Sequence, residues 1–75
     1  MAEYDANLLR SARTLAGLTA ANLAARAGLH PVTVSGFERG LKPSAETWAR
    51  IKKALREALA EQARKVAKAQ KDIAA

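Results

Sequence analysis

The chain has no cysteine, which excludes a disulfide framework and thiolate metal sites and suits a reducing cytoplasm. Its single histidine, His30, rules out a multi-histidine metal centre. No apolar run approaches the roughly 20 residues of a membrane span. The opening Met1-Ala2-Glu3-Tyr4-Asp5 lacks the basic-then-apolar layout of a signal peptide. No stretch alternates apolar and polar residues in the manner of a strand. There is no glycine-rich phosphate loop and no Ser/His/Asp set with scaffold spacing, so neither an enzyme nor a cofactor is expected. With 75 residues the chain is one domain at most and buries a thin core, which dimerisation or a docked extra helix would reinforce.

What is abundant is positive charge and alanine. Thirteen Lys/Arg against seven Asp/Glu leave a net charge of +6, a balance that favours acidic partners, nucleic acid first among them. Residues 1–51 hold six of the basic and four of the acidic residues, and residues 52–75 hold seven and three. The excess therefore leans toward the C-terminus. Nineteen residues are alanine, the strongest helix former, and the fold class read from this is all-α.

Helix boundaries follow from local signals. Asp5 is placed to cap a first helix whose Leu8, Leu9, Ala12, Leu15 and Ala16 recur at helical spacing. Gly17 ends it, with Leu18 packing back. Thr19 caps a second helix that turns Leu23, Ala24 and Ala27 inward and stops at Gly28. Pro31, at the first position of a third helix, loses nothing by lacking an N–H; Val34 and Phe37 are its buried residues and Gly40 its end. Lys42-Pro43 breaks the chain again, and Ser44 caps a fourth helix with the stripe Trp48, Ile51, Leu55.

Beyond Pro43 no glycine or proline interrupts the chain. The fourth helix either runs on into the tail or breaks near Ala54. Leu55, Leu59, Gln62, Val66, Ala69 and Ile73 alternate spacings of four and three, like a coiled-coil seam. Three readings stay open: an amphipathic helix on its own domain, a dimer seam, or a frayed tail. Glu57 and Glu61 share a face with Arg56, Arg64 and Lys65 close by, a solvated charged surface in which Glu61 and Lys65 stand in a favourable i,i+4 arrangement.

Helices two and three are joined by Gly28-Leu29-His30 alone, a connection short enough to fix a steep angle between them, as in a helix-turn-helix. In such a pair the second helix can lie in the DNA major groove. Arg10-Ser11-Ala12-Arg13, Gly17-Leu18-Thr19, Leu23-Ala24, Gly28-Leu29, Val34-Ser35, Phe37-Glu38-Arg39-Gly40 and Pro43-Ser44, continued by Trp48, Ile51 and Ala54-Leu55, stand in order over residues 8–55. This set resembles the Cro/C1-type family of phage repressors and Xre-like regulators. The resemblance implies a lambda-repressor-like domain of four to five helices over residues 5–55. A helical extension over 56–75 would follow, with a possible role in dimerisation. It also implies a pair between Arg13 and Glu38 that braces helix one to the end of helix three, a structural role rather than a DNA contact.

Family members often read bases with glutamines at the start of helix two and across helix three. Here those positions hold Ala20, Pro31, Val32 and Gly36, none with a side-chain donor or acceptor. Thr33 is the polar side chain left among the forward positions, with His30 just before it. Arg, Lys, Asn and Gln, the bidentate base readers, are missing from residues 30–38. Val32 and the Thr33 methyl are suited to thymine methyl groups, and Gly36 to close approach of the backbone. Thr19, at a helix N-terminus, and Arg39 and Lys42, after helix three, are suited to phosphates. The expected DNA-contacting set is therefore Thr19, His30, Pro31, Val32, Thr33, Gly36, Arg39 and Lys42. Two functions follow: a cytoplasmic, homodimeric regulator of transcription that binds double-stranded DNA, in the first place a repressor; or a protein-interaction module on the same fold, such as an antitoxin or an antagonist of another regulator.

Overall fold

Each helix begins where a side chain accepts hydrogen bonds from otherwise unpaired N–H groups. In the computed structural model, which describes residues 4–75, Asp5 caps α1 (Ala6–Leu15), Thr19 caps α2 (Ala20–Ala27), His30 caps α3 (Pro31–Glu38) and Ser44 caps α4 (Ala45–Ala74). The signal-peptide reading falls largely on residues 1–3, outside the described residues. The fold is all-α, with four helices among the described residues, the C-terminal one long.

α2 packs on α3 and on α4, and α1 closes over α3 and α4. The core is Leu9, Leu23, Ala24, Ala27, Val34, Phe37, Trp48, Ile51, Ala54 and Leu55, all from the apolar stripes read in the sequence except Ala54. Three of the ten are alanines, Ala24 and Ala27 on α2 and Ala54 on α4. The first helix differs from expectation. Leu9 and Ala16 are buried, but Leu8 and Leu15 are exposed, because a ten-residue helix turns one face inward and these two lie on its flanks.

α4 does not break at Ala54. It runs unbroken for 30 residues, about 45 Å at 1.5 Å per residue, which accounts for the longest dimension of the molecule, 46 Å. Its buried residues stop at Ala58, and Glu61 and Gln62 are half-buried. The Gln62 carboxamide lies near Gly17, its Nε2 3.4 Å from where a Cβ on that glycine would be. From Ala63 onward every residue is exposed. The seam read in the sequence is thus divided: Leu55 is buried and Gln62 half-buried on the domain, Leu59 is exposed at its edge, and Val66 and Ile73 project beyond it.

Candidate nucleic-acid interface

The helix-turn-helix is held together by backbone hydrogen bonds at its turn. Gly28 adopts φ +71°, and Leu29 N–H returns to the Ala24 carbonyl at 2.8 Å. The chain leaves α2 and enters α3 within three residues. Arg50, from α4, donates to the Gly28 carbonyl at 3.1 Å and fixes the turn from outside.

Ion pairs on two carboxylates, Glu38 and Glu61, brace this unit. Arg13 grips Glu38 in a two-pronged contact, Nε to Oε2 at 2.6 Å and Nη2 to Oε1 at 3.0 Å, and its Nη1 donates to the Leu18 carbonyl at 3.0 Å. The hydrogen bond to Glu38 is the main reason the Arg13 pKa is raised, with burial opposing it. Arg10 adds a contact to Glu38 Oε1 at 3.7 Å and donates to its carbonyl at 3.2 Å. α1 is thereby clamped to the end of α3, as the family resemblance implied. The pair on Glu61 has no signal in the sequence. Glu61, expected beside Lys65, is instead forked by Arg26 at 2.7 and 3.0 Å, which ties α2 to α4. The Arg26 hydrogen bond lowers the Glu61 pKa and raises that of Arg26. An arginine and a glutamate 35 residues apart carry no spacing signal.

The expected DNA-contacting residues fall in three places. At the start of α2, Thr19 accepts from Asn22 N–H at 3.0 Å. At the start of α3, His30 Nδ1 accepts from Val32 N–H at 3.2 Å, so its role in the isolated protein is that of a cap. Pro31 and Val32 are exposed and Thr33 is half-buried. Beyond α3, Arg39 and Lys42 are exposed, and among the described residues neither joins an ion pair. Glu38 is the one acidic residue between His30 and Pro43, and its side chain is 9% exposed beneath the two arginines. The outer surface of α3 is therefore apolar, with cations at one end and no carboxylate held out to solvent.

Gly36, expected as a point where DNA comes close, is buried in the isolated protein. The cover is not the core. It is the Leu41 side chain, whose Cδ1 lies 3.0 Å from the position a Cβ on Gly36 would take. The missing side chain leaves room for the leucine. Leu41 was absent from the expected set, although the Gly40-Leu41 step after a helix end is a local signal for such a fold-back.

A helix-turn-helix family model matches residues 9–62, a span that runs from within α1 to the half-buried part of α4. No curated protein and no solved structure matches the chain.

Proposed function

Because the chain belongs to the Cro/C1-type helix-turn-helix family, a family of DNA-binding regulators and not of enzymes, we propose that it represses transcription by placing α3 in the major groove of duplex DNA. The observation that carries this is the outer face of α3. It is free of carboxylate, and Arg39 and Lys42 lie exposed just beyond it. A duplex with phosphates at its rims and base edges on its floor is complementary to that arrangement. In this reading Pro31, Val32 and Thr33 face the bases, His30 and Thr19 sit beside the backbone, and Arg39 and Lys42 bind phosphate. Residues 5–55 carry the DNA-binding elements and 56–75 the extension, whose first turns, to Gln62, still pack on the domain. Two copies joined through the projecting end of α4 would bind half-sites about one helical turn apart, roughly 34–36 Å. Such a protein works where the DNA is, in the cytoplasm. No helix is long and apolar enough to cross a membrane among the described residues.

Selection of bound duplexes from a random pool tests the reading. A two-fold-related pair of short sequence blocks is expected. A pool that shows no enrichment, together with no retention of duplex at low salt, rejects it and favours the interaction-module reading. In that case a stoichiometric protein partner would cover α3.

A further inference from the structure

Three helices end on the same dipeptide, glycine then leucine. Gly17, Gly28 and Gly40 all have positive φ, at 72°, 71° and 114°. In each case the leucine N–H returns into the last turn: Leu18 to the Arg13 carbonyl at 3.1 Å, Leu29 to Ala24 at 2.8 Å, Leu41 to Gly36 at 3.1 Å. This stop brings the leucine side chain against the residue whose carbonyl it uses. Leu18 and Leu29 are partly buried and pack on the core. Leu41 does not; it is 65% exposed.

The difference lies in the face that Leu41 covers. At about 100° per residue, Gly36 stands roughly 200° round the helix from Val34, and Val32 about 160°. Both point away from the core. Lying on Gly36, Leu41 occupies the space that a side chain at position 36 would fill. Val32, one turn earlier and also 65% exposed, completes an apolar ridge along the outer face of α3. Cations flank Leu41 in the chain, Arg39 on one side and Lys42 on the other.

We propose that Leu41, laid over Gly36, and Val32 together read the C5-methyl groups of thymine in the major groove. The inference rests on α3 entering that groove. It names what the helix reads there. Neither side chain can donate or accept a hydrogen bond, so polar base edges gain nothing from them, whereas the thymine methyl is the apolar feature of the groove floor. The cationic rim fits the phosphates on either side.

The test changes the DNA and leaves the protein intact. In a duplex selected by the full chain, each thymine is replaced in turn by deoxyuridine, which keeps the O4 acceptor and lacks only the methyl. At one or two thymines per half-site, affinity should fall by about fourfold each, the effect of losing one buried methyl-sized group. Leu41→Ala should remove the penalty at one such position and Val32→Ala at another, with the salt dependence of binding unchanged. Gly36→Gln should displace Leu41 and move the preference toward adenine, which glutamine pairs bidentately. Equal binding of the thymine and deoxyuridine duplexes would overturn the proposal and leave DNA binding standing. Failure to bind any duplex at low salt would overturn both.

Discussion

At the scale of single residues, the Arg13–Glu38 clamp and the Tyr4 phenol carry the most testable chemistry. Glu38 keeps 9% of its side chain exposed and Arg13 19%, so removing one partner strands a charge with little access to water. Glu38→Ala should lower stability by on the order of 2 kcal/mol, below the roughly 3–5 of a fully buried pair because Arg13 still reaches solvent. Urea unfolding checks this: the midpoint should fall at constant slope, and an unchanged midpoint would show the pair to be ornamental. Tyr4 donates its hydroxyl to the Phe37 carbonyl, and its ring meets Trp48 edge-on at 5.1 Å. Burial, and then the charges of Glu38 and Asp5, raise its pKa. Because the folded value lies above the unfolded one of about 10, the contribution is fully present below that pH. It is lost as pH rises through the raised folded value. Melting temperature should thus decline in that alkaline window, and Tyr4→Phe should lack this part of the decline. Identical alkaline curves for the two proteins would count against it.

At the scale of elements, α4 does two jobs along one axis. Up to Gln62 it belongs to the domain, through Ile51, Leu55 and Ala58 in the interior and the Arg26–Glu61 tie at the edge. Past Ala63 it carries Val66 and Ile73, half and 85% exposed, on a segment of about three turns. A helix of that length is marginal in water by itself, and its apolar residues lie seven apart, as a two-helix seam requires. A chain ended at Ala63 should therefore fold with little change in melting temperature at matched protomer state, yet sediment as a monomer where the full chain is a dimer. If both sediment as monomers, the projecting end does not join two copies. The tie itself has an acid limit. Glu61 has a lowered pKa, so the contact persists above the ordinary carboxylate value and is lost as pH falls through the lowered one.

At the scale of the whole molecule, the positive excess leans toward the C-terminal end of α4, while Arg39 and Lys42 lie beside the uncharged outer face of α3. Binding to duplex DNA should weaken steeply with salt, with a slope of about 0.9 for each phosphate neutralised. Lys42→Ala should reduce that slope by about one and weaken all sequences alike. A slope that does not move would remove Lys42 from the interface. Much of this architecture was legible in the residues alone. Asp5, Thr19, Pro31 and Ser44 open the four helices, and Gly17, Gly28 and Gly40 close three of them, because a cap or a stop is made by hydrogen bonds within about five residues of chain. The pairing of Arg13 with Glu38 came from family resemblance, not from spacing. The fold-back of Leu41 onto Gly36 is local in the way the caps are, through the Leu41 N–H and the Gly36 carbonyl. Other features waited on the tertiary structure: that α4 passes Ala54 unbroken, that Glu61 chooses Arg26 over Lys65, and that Leu8 and Leu15 stay outside. In the pairing of Glu61 and the exposure of Leu8 and Leu15, the outcome depends on which surfaces meet once the helices are packed. In the run of α4, several local conformations were acceptable and the packing against the domain chose one.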